Sequence, residues 1–167
     1  TNYGYEDYLE LSYSEIDRPV EEAVLVHFNL SALPSNAVID SAVMQLYQVY
    51  AGGDILKRIA VYRATSPWDE YTMTWNTYLT IDPTGLVSEL NSATGVYQSW
   101  WITSWASFWQ SNTAQNYGIM LRRLTSESTY YERAFESKDH NELRPQLVVS
   151  YHFPTPTPTN TATAATQ

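Results

Sequence analysis

Catalysis needs groups that take up protons or attack, and this chain scatters them without assembling a constellation. His27, His140 and His152 stand far apart, none in a His-Glu-x-x-His setting; no Ser occupies Gly-x-Ser-x-Gly and no Gly-rich phosphate loop occurs. The candidate carboxylates are the doublets Glu6-Asp7, Glu21-Glu22 and Asp69-Glu70, and Asp139. Glycoside hydrolysis uses two carboxyls held roughly 5 to 9.5 Å apart across the scissile bond. Neighbours in an extended segment point to opposite faces, so no doublet is itself an acid/base pair. Solvation and turn formation account for the doublets, and no catalytic residue is assigned. Asp69 and Glu70 are the candidates for a cation held with backbone carbonyls, and calcium is the ion suited to such oxygens. No other metal or cofactor is expected.

Aromatic residues carry the stronger signal: six Trp and 14 Tyr. A sugar presents a C–H face that stacks on Trp or Tyr, while its hydroxyls pair with Asn, Gln, Asp or Arg. Tyr3, Tyr5, Tyr8 and Tyr13 line the start of the chain, and Trp100, Trp101, Trp105 and Trp109 cluster within ten residues. Trp100 and Trp101 cannot both face one side of a strand, so one is left for a surface; Tyr130 and Tyr131 pose the same choice. Trp68, Trp75 and Trp105 are expected in the core. Tyr3, Tyr5, Trp100, Trp101, Tyr130 and Tyr131 are therefore the candidate glycan or interface contacts. The same residue types anchor protein interfaces, so a Tyr-rich, Lys-poor surface also fits a self-associating building block.

Eighteen acidic against nine basic residues give a net charge of −9. A phosphate backbone would be repelled, so nucleic acid is not an expected partner. There is no Cys, which removes a disulfide framework and leaves stability to packing and backbone hydrogen bonds. No apolar run approaches the ~20 residues of a membrane helix, so no membrane insertion is expected. Thr1 stands where an initiator Met or a leader would be, and the chain reads as processed.

Period-two alternation dominates. Strands are expected over Tyr8 to Tyr13, Ala23 to Asn29, Val38 to Tyr50, Ile59 to Thr65, Gly118 to Leu124, Tyr131 to Ser137 and Gln146 to His152, with turns at Pro34, Gly52-Gly53, Pro83 and Asn116. Either face of Val38 to Tyr50 could be the core face. One segment departs from the pattern: Ile102, Trp105, Phe108 and Trp109 have a spacing of three and four, which predicts a short helix over residues 103–111. The expected fold is all-β, a jelly-roll-type antiparallel sandwich over residues 1–153. Residues 154–167, PTPTPTNTATAATQ, follow as an extended tail. The tail hydroxyls of Thr155, Thr157, Thr159, Thr161 and Thr163 are the candidates for O-linked sugar. Asn29-Leu30-Ser31 matches the N-glycosylation triplet.

Several of these runs together resemble the DNRLRE domain of secreted and cell-surface proteins of bacteria and archaea. The residues that carry the resemblance are Thr1-Asn2-Tyr3-Gly4, Phe28 to Pro34, Ile39 to Tyr47, Trp68-Asp69-Glu70, Met73 to Asn76, Phe135-Glu136-Ser137 and Arg144 to Tyr151. The resemblance implies a β-sandwich outside the cell, secreted or on the cell surface. It also implies a strand ahead of Thr1 that this chain lacks, hence an open edge or groove where a neighbour's extended segment could add. Asn29 and His27 stand where the family often has Asp and a basic residue. The expected function is a non-catalytic structural or adhesive module, a subunit of a cell-surface or filamentous assembly. It would self-associate through the open sheet edge and a tail that docks or carries sugar. The alternative is a carbohydrate-binding module of a polysaccharide-degrading protein.

Overall fold

The computed structural model describes residues 2, 4–15, 20–77, 79–126 and 129–155. In chain order the elements are β1 (Tyr8–Ser14), β2 (Val20–Glu22), β3 (Val24–Val26), β4 (Val38–Gly53), β5 (Leu56–Arg63), β6 (Leu86–Asn91), β7 (Val96–Trp101), α1 (Thr103–Ser111), a 3-10 turn (Thr113–Gln115), β8 (Ile119–Arg123), β9 (Tyr131–Glu136) and β10 (Gln146–His152). One antiparallel sheet runs β10-β4-β9-β1-β2, with β7 also on β4; the other runs β3-β8-β5-β6. This is the all-β sandwich with one short helix expected from the sequence.

The core forms where the two inner faces meet. β4 settles its ambiguous alternation by turning Ala42, Met44, Leu46 and Gln48 inward and Val43, Gln45 and Tyr47 outward. Leu11, Trp100 and Phe135 join them from the first sheet, against Val26, Ile59, Val61, Ile119 and Leu121 from the second. Each such side chain contributes about 1.5–3 kcal/mol on burial. α1 buries Ala106 and Trp109 in the same cluster. Nine residues are too few for a helix to hold by itself, so packing sustains it, helped by Ile102 N–H to Ala42 O at 2.9 Å and Ala42 N–H to Thr103 Oγ1 at 3.0 Å.

Two cations lie inside the sandwich. Arg133 is fully buried between Tyr131 and Phe135 on β9 and donates to the carbonyls of Gly52, Asp54, Ile55, Asn91 and Glu132. Burial holds its pKa below the usual value. Its fork closes the turn between β4 and β5 and ties it to the end of β6. Lys57, also buried, bonds Thr129 and pairs with Asp54 at 2.8 Å, and it holds that carboxyl below its ordinary range.

The structure corrects several boundaries. β2, β6 and β7 had no expected counterpart, and β3 is three residues rather than the seven of Ala23 to Asn29. After Val26 the backbone leaves the ladder, and side-chain-to-backbone bonds with Asn116 take its place. Asn116 Nδ2 donates to Phe28 O at 2.8 Å, and His27 Nε2 lies 3.1 Å from Asn116 O. Gly118, at φ +86°, makes the close approach work: a Cβ there would stand 2.2 Å from Val26 O. No described helix is long and apolar enough to cross a membrane.

Candidate functional site

A groove of about 720 Å³ lies between open edges of the two sheets. On one side β2 pairs only with Ser12 to Ser14, so among the described residues no strand covers that side of Tyr8 to Leu11. Facing it, β3 is the edge of the second sheet, with Val24 to Phe28 lining the floor. The 66–81 connection forms the far wall and presents Trp68, Met73, Trp75, Asn76 and Thr77.

That wall is fixed by backbone capture. Trp68 Nε1 donates to Tyr117 O and Trp75 Nε1 to Glu21 O, both at 2.6 Å. Asn2 Nδ2 bridges Glu70 O and Met73 O at 2.7 and 2.6 Å, and Gly4 lies so close that a Cβ would stand 2.3 Å from Glu70 O. The Trp75 ring remains 51% exposed while Arg122 lies 5.5 Å from its centroid, itself paired with Glu21 at 3.2 Å. The result is an amphipathic ring held in one orientation at a groove wall, with amide, hydroxyl and imidazole groups of Asn76, Thr77 and His27 in the same lining.

The groove's charges are mostly spent on one another. Lys138 pairs with Glu70 and Asp139, each at 3.2 Å, which raises its pKa. Glu10 and Glu22 share a hydrogen bond in the wall beside Tyr8. Partial burial of Glu10, then that bond and the charges of Glu22 and Glu132, push the Glu10 carboxyl up to about 7. A hydrogen-bonded carboxyl pair is closer than the spacing glycoside hydrolysis requires.

The expected contact residues separate. Tyr5 is 81% exposed and stacks on Tyr71 with centroids 4.7 Å apart, beside groove-lining Gly4 and Glu6. Trp101 is 68% exposed and Tyr130 is 42% exposed, both on or next to the outer face of the first sheet. Trp100 and Tyr131 are corrections: inward register at β7 and β9 buries both, so neither ring is available to a ligand. Trp75 is a correction in the other direction, since it was expected in the core; Trp68 and Trp105 are partly buried. Asp69 Oδ1 accepts from Tyr71 N–H and the Thr72 hydroxyl, both at 3.1 Å, and so caps its own turn. Glu70 faces Lys138, and among the described residues no three His, Asp or Glu side chains converge as metal ligands. Thr155 is exposed, whereas Tyr3, Thr157, Thr159, Thr161 and Thr163 lie outside the described residues, as does the tail from 156 onward.

A family model described as carbohydrate-binding module family 96 matches residues 1–151. The chain belongs to that family. No curated protein matches it significantly. The match supports the carbohydrate-binding alternative over the structural-subunit reading, and it does not carry the DNRLRE name. In this family 96 module, sequence reasoning missed Trp75 and the Glu10–Glu22 pair. Both depend on contacts across 12 residues or more, Glu22 beside Glu10 and Glu21 O on the Trp75 indole, which no local spacing reveals. The available signal was Trp75's own setting, Thr74-Trp75-Asn76-Thr77, a ring among hydrogen-bonding neighbours rather than apolar ones.

Proposed function

We propose that this module binds a glycan chain without cleaving it, in the groove between the β1 and β3 edges, with the Trp75 ring as the stacking surface. The observation that supports the reading is that ring: half-exposed at a groove wall, yet fixed by its indole N–H and by Arg122. A ring already ordered loses little freedom when a sugar face covers it. Asn76, Thr77 and His27 serve the hydroxyls. Both groove cations are neutralised by carboxylates while Glu6 and Glu22 add negative charge, so the ligand that fits is uncharged rather than a uronate or a sulfated sugar.

Affinity gel electrophoresis against soluble uncharged polysaccharides tests this. Trp75→Ala is expected to weaken retention about tenfold, equivalent to about 1.4 kcal/mol. Retention unchanged by that substitution, or retention only on polyuronates, would contradict the proposal.

A second reading has its own observation. The outer edge of β3 and one side of Tyr8 to Leu11 lack a strand partner among the described residues, which is the geometry strand addition uses. Under that reading the module is a secreted or cell-surface subunit whose Pro/Thr tail occupies a neighbour's groove. Deleting residues 154–167 would then dissolve oligomers seen by sedimentation, and unchanged assembly would end it.

A further inference from the structure

The outer face of β10-β4-β7 lies on the far side of the first sheet from the core and is built in rows. Val43 stands opposite both Trp101 and Val148, Gln45 opposite both Ser99 and Gln146, and Tyr47 opposite Tyr97. Their sequence neighbours Ala42, Met44, Leu46, Gln98 and Trp100 are the buried ones, so the register sends all of these side chains to the outer face. With alternate residues about 6.7 Å apart along a strand and strands about 4.8 Å apart, the rows cover roughly 13 by 10 Å.

Within the rows the polar groups are ordered. Gln146 Nε2 donates to the Tyr97 hydroxyl at 2.8 Å and Gln45 Nε2 to Ser99 Oγ at 3.2 Å. The Tyr47 and Tyr97 rings meet edge to face with centroids 5.1 Å apart. Trp101, 68% exposed, and Val148, 51% exposed, close one end. No charged side chain stands in these rows, although the chain carries 18 acids and nine bases.

We propose that this strip is a second carbohydrate-contact surface, which takes the flat face of an uncharged, packed polysaccharide rather than a single chain. The inference rests on the carbohydrate-binding reading of the module but on none of the groove residues. Charge decides between occupants. A surface of rings, amides and hydroxyls without charge covers an uncharged glycan with no ion to desolvate. Two copies of this chain, each at net charge −9, repel as they approach, which disfavours the strip as a self-dimer face. Extent decides the form of the ligand: the rings and amides run across three adjacent strands, so chains lying side by side cover more of them than one chain does.

The test is depletion of the intact protein from solution by microcrystalline cellulose, run beside retention in gels of soluble hydroxyethyl cellulose. The double variant Trp101→Ala with Tyr97→Ala is expected to lose tenfold or more of its adsorption to the solid. Its retention in the soluble gel should stay within twofold of wild type, because the groove is intact. Val148→Glu, which puts a charge in the strip without removing a ring, should give the same loss while its thermal transition stays in place. Trp75→Ala should do the reverse, losing soluble-chain retention and keeping the solid. Adsorption unaffected by the strip variants overturns the proposal, as does a wild-type protein that no insoluble uncharged polysaccharide depletes. A wild-type dimer that Trp101→Ala converts to monomer in sedimentation also overturns it, since a second copy would then cover the strip. If only the soluble-gel arm fails, the groove assignment falls and the strip stands.

Discussion

The groove and the strip are made from the same sheets by different means. The groove exists where pairing stops: β2 covers half of β1, β3 is three residues long, and side-chain-to-backbone bonds from Asn2, Trp68 and Trp75 hold the wall opposite. The strip exists where pairing is most complete, on β4 with a partner strand along each side at Val43 to Gln45. The first is charged, loop-walled and tied by side-chain-to-backbone bonds; the second is uncharged and set by alternation together with the register of β7 and β10 on β4. A sandwich thus has two independent ways to present an aromatic ring, and each predicts a different sensitivity to mutation and pH.

The largest perturbation should abolish the distinction by removing the frame. Arg133→Met leaves five carbonyls without their donor and is expected to cost about 3–4 kcal/mol, seen as a lowered midpoint in urea, with both kinds of binding lost together. Survival of either surface at native stability would show that the buried guanidinium does not hold the β4–β5 turn. Next in size is the tenfold loss of soluble-glycan retention in Trp75→Ala, which separates the groove from the strip. Arg122→Met should follow at a few-fold, since it removes the cation beside that ring and one of the two guanidinium partners of Glu21, Arg123 remaining; an unchanged affinity would place the sugar elsewhere in the groove.

Acidity gives the smallest effect. Glu10, raised to about 7, binds a proton in the folded state that the unfolded chain releases at its ordinary 4.5. Its stabilising contribution is therefore full below about 4.5 and is lost as pH rises through 7. Glu10→Gln keeps a neutral group at all pH, so it should match wild type near pH 4.5 and exceed it at pH 8. Solvent screening of a carboxyl that stays exposed limits the gain to roughly 1 kcal/mol. Thermal melts at the two pH values check this. No titratable carboxyl, imidazole or amine stands in the strip, so adsorption to the solid should ignore the same pH change.

Much of the frame was legible in the sequence because it is local. The three-four spacing of Trp105, Phe108 and Trp109 marked α1 to its observed ends, and alternation marked most of β1, β4, β9 and β10. What failed was non-local. β6 and β7 were not expected as strands and are held by pairing with β5 and β4, and whether Trp100 or Trp101 faces water depends on the register with Val43. Trp75 looked like core because large rings usually are. Only the reach of its indole to Glu21 O, 54 residues back, pins it outside.

The central claim is that an ordered Trp75 ring meets the sugar. Indole N–H resonances of the six tryptophans, followed by proton–nitrogen NMR during titration with a soluble uncharged oligosaccharide, test it most directly. The expected result is a saturable shift of the Trp75 signal while buried Trp109 stays fixed. A titration in which the Trp75 signal does not move while binding saturates would contradict the account.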